Sequence, residues 1–430
     1  MSFLVSFIII FIGLINHYSK KTWISPDVLF CYEWGLITLF ASLRLFGLYS
    51  ASTKTWFLII LGTMFFLMGS HFGQHLKIND VYRNSDNNTL FMSKKIFWLL
   101  VALLFIYNCF ELYKTISAIN LGYSLGDIRE ASVGMREITG YSRNTGGFYE
   151  LLSLFFNVIE VFVVAIGIEA FISDFRRNWK MFVGIFSVEI VNAFSTGSRF
   201  TVFYLLIELL VCIGFYKYCG KSVGIQISKR LKIWVKRVIV ILGAIVIVLT
   251  LIRGAKLNEI FEKYYRYLCG NIIFLDLHIK QLDNSGFLSL GYAGLYGLFS
   301  LILPYLNSIG FNYPNLYLKT ISEVLNTQDF LLIGDKLYTN AFITPFYHLY
   351  ADFRFLGVAF GMFIFGVIAG KVYRRALIER THTRITFYLI ICQMLFKTLQ
   401  LYPLSMKPYI FSIVIILFYK KIRIGKIYNS

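Results

Sequence analysis

The chain has 430 residues, of which 57% are hydrophobic, 18% aromatic and 15% charged. Soluble domains carry about 45–50% apolar and about 25% charged residues, and disordered chains are poor in aromatics, so both classes are excluded. The formal charge is +19, from 42 Lys and Arg against 23 Asp and Glu. The basic residues gather in alternating loops, which is the positive-inside pattern of a membrane protein and not a nucleic-acid-binding surface.

A spanning helix needs about 20 mostly apolar residues. Apolar runs predict spans near 2–16, 28–48, 56–72, 96–114, 147–172, 181–194, 200–216, 238–252, 345–370, 386–399 and 407–418, about eleven in all. The first run, Ser2 to Asn16, has neither a basic leader nor a small-residue cleavage site, so it reads as a span and not a removable signal. The six cysteines (Cys31, Cys109, Cys212, Cys219, Cys269, Cys392) show no metal-type spacing and offer no disulfide framework. The expected fold class is an all-α polytopic membrane protein, a single integral membrane domain over 1–430 without repeats or a soluble domain.

Two basic anchors set the orientation: the loop at about 217–237, with Lys217, Lys221, Lys229, Arg230, Lys232, Lys236 and Arg237, and the tail with Lys420, Lys421, Arg423 and Lys426. Both belong in the cytoplasm, and the eleven spans place them on the same side. Arg176, Arg177, Lys180, Lys371, Arg374, Arg375, Arg380 and Arg384 fall on the same side. Segments of about 115–146 and 253–344 then lie outside. The second is long for a loop, which points to function. Asn258 to Leu282 has helical apolar spacing (Ile260, Phe261, Tyr264, Tyr265, Leu268), and Gly286 to Leu306 reads as interfacial, because a further span would move the basic tail outside.

Polar residues at membrane depth are costly and usually paired or functional. Glu189, Asn192 and Ser195 share a helix face that runs into Ser195-Thr-Gly-Ser198-Arg199 at the head of the next helix. Free N–H groups there plus a guanidinium favour a phosphate, or Arg199 snorkels to lipid headgroups. Thr344 and Pro345 suit a helix start, which places His348 and Asp352 at i and i+4. That pair reads either as a base for a hydroxyl or as an interfacial histidine and an ion-paired aspartate. Arg129, Arg136 and Arg143 in the first external loop, and Arg253 and Arg266 in the second, run against the positive-inside rule and suit an anionic substrate. Glu33, Arg44, Glu160 and Lys397 within spans read as interhelical ion pairs. No P-loop, HExxH, GxSxG, Cys/His metal spacing or external Asp-x-Asp occurs, so no metal or other cofactor is expected.

Three pieces resemble a known family. They are Ser-Thr-Gly-Ser-Arg at 195–199; Tyr-Leu-Cys-Gly-Asn at 267–271, continuing to Phe274-Leu-Asp276; and Tyr350-Ala-Asp352-Phe353-Arg354-Phe-Leu-Gly357, followed by a helix with Gly366 and Gly370. With the hydropathy profile, they are similar to the Wzy-type oligosaccharide repeat-unit polymerases of O-antigen and capsule assembly. That family commonly has Gly after the Asp-Phe pair, where this chain has Arg354. The resemblance implies a GT-C-like glycosyltransferase of the bacterial inner membrane, acting periplasmically on undecaprenyl-pyrophosphate-linked oligosaccharides. A flippase and a chain-length regulator are the partners it implies. Arg199 and Arg253, with Arg129 or Arg136 and Arg266, would bind the pyrophosphate. Glu189, Asn192 and Ser198 would support them, and His348 or Asp352 would take the acceptor proton. An O-antigen ligase is the nearest alternative, and a lipid-linked oligosaccharide flippase is one of another class.

Overall fold

The computed structural model describes residues 1–76, 92–132, 147–223, 229–252, 259–325, 327, 329–340 and 343–418. Among these residues fifteen α-helices form. They are α1 (Ser2–Lys20), α2 (Pro26–Ser42), α3 (Thr53–His75), α4 (Lys94–Asn120), α5 (Leu125–Ser132), α6 (Gly147–Ser173), α7 (Phe175–Thr196) and α8 (Phe200–Val223). There follow α9 (Lys229–Ile252), α10 (Ile260–Ser285), α11 (Tyr296–Ser308), α12 (Asn315–Thr320), α13 (Thr344–Glu379), α14 (His382–Lys397) and α15 (Lys407–Phe418). A short antiparallel hairpin, β1 (Leu331–Leu332) with β2 (Tyr338–Thr339), lies between α12 and α13.

Each expected span falls on a helix, and α1, α3, α4, α6, α8, α9 and α13 are long and apolar enough to cross a membrane. The chain is a multi-pass α-helical membrane protein. The remaining expected spans are shorter or more polar: α2 has 17 residues, α14 16 and α15 12, and α7 carries Arg176, Arg177 and Lys180 near its start. The span expected to reach residue 48 stops at Ser42, because Arg44, Phe46 and Gly47 all adopt positive φ. The 13 residues of α11 cover about 20 Å, less than the roughly 30 Å of a bilayer core.

Helix caps follow the local sequence. The Ser52, Ser93 and Thr381 hydroxyls accept from the N–H groups of Thr55, Ile96 and Arg384, at the starts of α3, α4 and α14. Thr344 departs from expectation. It sits at φ +64, its hydroxyl has no partner, and its N–H and that of Ile343 donate to the Gln400 carbonyl.

The closest packing joins α3 to α13, which run parallel. A methyl added at Gly69 or Gly73 would collide with the carbonyls of Phe363 or Val367, and one at Gly366 or Gly370 with those of Phe66 or Ser70. Small residues let helices approach within lipid, where no hydrophobic force draws them together. The helix α13 is not continuous. Phe353 (φ −141°, ψ 32°) and Arg354 (φ 53°, ψ −133°) break it, and Gly357 lies against the Leu349 carbonyl. In a straight helix those two residues are about 12 Å apart, so residues 344–352 double back along 355–379. Arg354, like Thr344, takes a positive φ that a glycine would adopt without strain.

Helix ends sort into two sets. Lys20 pairs with Asp27 and Gln74 (2.8 Å each), Lys94 with Asn178 (2.8 Å), His382 with Glu169 (2.6 Å) and Arg374 with the Gln74 carbonyl. All of these come from ends that the sequence assigns inside. The ends it assigns outside also meet one another: Tyr49 N–H with the Ile333 carbonyl (2.9 Å), Thr115 Oγ1 with the Ser195 carbonyl (2.6 Å), Lys54 with Asp283, and Lys407 with Glu150.

The glycine contact predicts an ordering. Gly69→Ala and Gly370→Ala should each cost about 1–3 kcal/mol and lower the unfolding temperature in detergent. Gly243→Ala, with nothing within 4 Å of the new methyl, should not. Equal effects at all three positions would contradict this packing.

Candidate functional site

The α7–α8 turn places Arg199. Gly197 at φ 61° ends α7, and the Arg199 carbonyl accepts the Phe203 N–H (3.2 Å), so Arg199 caps α8. The residue is only 8% exposed, and its guanidinium turns toward α9 and α10. Nη1 donates to Thr250 Oγ1 (3.1 Å), and the group lies over the rings of Tyr264 (5.4 Å) and Tyr267 (4.8 Å). The Arg266 guanidinium lies over the same Tyr267 ring at 5.6 Å. Two cations thus converge on one aromatic ring, and among the described residues neither has a carboxylate within ion-pair distance. A guanidinium carries five N–H donors, and Arg199 spends one of them on Thr250. The remaining fork matches a phosphate oxygen pair, whereas a buried cation without an anion is costly.

On the other side of the first turn of α8 lies a cavity of about 250 Å³, lined among others by Glu160, Glu189, Ser198, Tyr204, Gln393 and Lys397. Asn192 Nδ2 donates to Glu160 Oε1 (2.7 Å), and Lys397 Nζ lies 5.0 Å from the Tyr204 ring centre. Glu189 Oε1, Tyr204 Oη and Gln393 Oε1 are buried without a hydrogen-bond partner. The sequence grouped Glu189, Asn192 and Ser198 with Arg199 through helical spacing. The structure gives the first three to the cavity region and Arg199 to the tyrosine cluster, on opposite sides of one turn.

His348 and Asp352 do not pair. His348 is buried, its Nδ1 3.4 Å from the Thr344 carbonyl oxygen. Both oxygens of Asp352 are taken by the turn after α10: Oδ1 accepts from Ser289 Oγ (2.6 Å), Gly291 N (2.9 Å) and Ala293 N (3.1 Å), and Oδ2 from Gly294 N (2.8 Å). Helical spacing placed the two side chains on one face, but four converging donors draw the carboxylate away. Arg354 then donates to the carbonyls of Leu282 (3.1 Å) and Phe287 (2.9 Å), so the Asp-Phe-Arg piece clasps the end of α10.

Arg129 lies in α5, whereas Arg136, Arg143 and Arg253 fall outside the described residues. The ion pairs expected within spans do not form between Glu33 and Arg44, since both Glu33 oxygens are buried without a partner and Arg44 is exposed. Sequence reasoning missed Thr250, Tyr264 and Tyr267, and it missed Glu208, buried in α8 without a partner. The alternation Tyr264-Tyr265-Arg266-Tyr267 was the available signal for the tyrosines. On α10, burial would raise the Asp276 carboxyl, but bonds from Lys280, Ser52 and Thr55 hold it below its ordinary range. Burial lowers the His278 imidazole to about 4, so it is neutral near pH 7. Among the described residues no three His, Cys, Asp or Glu side chains converge as metal ligands do.

Comparison with protein-family models, with curated proteins and with solved structures gave no match.

If Asp352 fixes the 289–294 turn, Asp352→Asn removes charge-assisted bonds worth about 1.5–3 kcal/mol each at most and should lower the unfolding temperature of the purified protein. A variant with unchanged stability and lost activity would instead return Asp352 to the chemistry.

Proposed function

We propose that this chain is a membrane polysaccharide polymerase similar to the Wzy type. It would join undecaprenyl-pyrophosphate-linked repeat units at the periplasmic face of the bacterial inner membrane. The observation that carries this reading is the convergence of Arg199 and Arg266 on Tyr267 without a carboxylate. It suits a dianionic pyrophosphate brought by a lipid carrier. The sorting of helix ends supports about eleven crossings, with this site and the cavity on the external side. At 17, 16 and 12 residues, α2, α14 and α15 would be short crossings, which a bilayer accommodates by thinning locally.

In the reaction, an acceptor hydroxyl displaces undecaprenyl pyrophosphate from the anomeric carbon of the donor. The C–O bond to phosphate breaks, and its electron pair leaves with the pyrophosphate. Arg199 and Arg266 stabilise that charge as it develops, a role often worth about 3–4 kcal/mol per donor. Direct displacement inverts the anomeric configuration. The flippase and chain-length regulator implied by the family are the expected partners.

A second reading, a transporter of lipid-linked oligosaccharide, draws on one observation, the charged cavity between α6, α7, α8 and α14. Genetics separates the readings. In a strain lacking the gene, surface glycans should shrink to single repeat units on the outer lipid. Full-length chains stranded on undecaprenyl pyrophosphate would indicate a ligase, and units trapped at the cytoplasmic face a transporter. Complementation with Arg199→Ala should leave single units at normal protein level, and Arg199→Lys should fail too, because an ammonium has no bidentate fork. Wild-type chain length in either variant removes Arg199 from the mechanism.

A further inference from the structure

The cavity beside Arg199 is built for a polar guest. Its wall carries two carboxylates (Glu160, Glu189), an ammonium (Lys397), an amide (Gln393) and hydroxyls (Ser198, Tyr204), with the rings of Tyr204 and Tyr409 among them. Glu189 is 3% exposed and Tyr204 7%, yet Glu189 Oε1 and Tyr204 Oη have no partner within the protein. An unsatisfied buried acceptor costs about 1–3 kcal/mol, so these groups await donors and acceptors from a ligand. Alternating donors, acceptors and ring faces are what a sugar ring needs, through its hydroxyls and its C–H faces. A volume of about 250 Å³ accommodates one monosaccharide.

We propose that this cavity receives the terminal sugar of the acceptor repeat unit, whose hydroxyls bond to Glu189 Oε1 and Tyr204 Oη. The proposal rests on the polymerase reading above. Glu160, bonded to Asn192 and to Glu189 and facing Lys397, is a positioning residue that holds Glu189 toward the sugar.

The test uses the full-length protein in lipid nanodiscs, with the undecaprenyl-pyrophosphate-linked repeat unit extracted from a strain lacking the gene. Polymer length and undecaprenyl pyrophosphate binding are read separately. Glu189→Leu, which removes both oxygens at similar size, should raise the KM for acceptor at least tenfold and leave undecaprenyl pyrophosphate binding within twofold of wild type. Thr201→Phe, which narrows the cavity without touching a charge, should raise the KM for acceptor at least tenfold, again with binding of the carrier retained. Retained carrier binding shows that each variant is folded. An unchanged acceptor KM in Glu189→Leu or in Thr201→Phe overturns the inference while the polymerase reading stands. Absence of polymer from the wild-type protein overturns both.

Discussion

The seating of α10 on the helix bundle hangs on one carboxylate. Asp276, 2% exposed, accepts bonds from the Ser52 N–H (3.0 Å), Thr55 Oγ1 (2.7 Å) and the Ser52 hydroxyl, and pairs with Lys280 at 2.7 Å. It pins the middle of α10 to the first turn of α3. Further along α10, Asp283 meets Lys54 and Tyr350, and Asn271 Nδ2 donates to the Leu399 carbonyl (3.2 Å). A helix outside the spanning set is thereby held rigidly against the bundle. That rigidity matters because α10 carries Tyr264, Arg266 and Tyr267, the half of the arginine–tyrosine cluster that faces Arg199. Pre-organised charge is effective because nothing needs to reorganise as charge develops.

The second constraint is the reversal within α13. The glycines at 357 and 361 let residues 344–352 fold back against their own helix, and those at 366 and 370 admit α3. The cost is left-handed backbone at Thr344 and Arg354, about 1–3 kcal/mol apiece. Asp352 and Arg354 offset it by binding the turn and the carbonyls at the end of α10. The most distinctive sequence piece, Tyr-Ala-Asp-Phe-Arg, thus acts as a clasp between the membrane bundle and the external helix.

Much of the helical content was legible in the sequence, because apolar runs and alternating basic loops follow directly from the bilayer. The α3–α13 seam was less so, since glycine pairs four residues apart acquire meaning only once the partner helix is known. Among site residues, Glu189 and Arg199 were visible as polar groups out of place. Their separation onto two faces was not, because Arg199 caps a helix and its side chain direction depends on the turn at Gly197. Lys397 and Glu160 read as ordinary ion pairs, since sequence spacing cannot show that they border one cavity. The helical spacing of His348 and Asp352 suggested a pair, and backbone donors from a distant turn decided otherwise. Such contacts leave no local pattern.

On the reading proposed above, Arg199 and Arg266 form one anion site on Tyr267. The most direct test is an experimental structure of the protein in lipid nanodiscs with undecaprenyl pyrophosphate added. The account predicts pyrophosphate density between the two guanidinium groups, with the polyprenyl chain running into the lipid. Pyrophosphate bound elsewhere, with Arg199 still seated on Thr250 and Tyr267 and touching no phosphate, would contradict it.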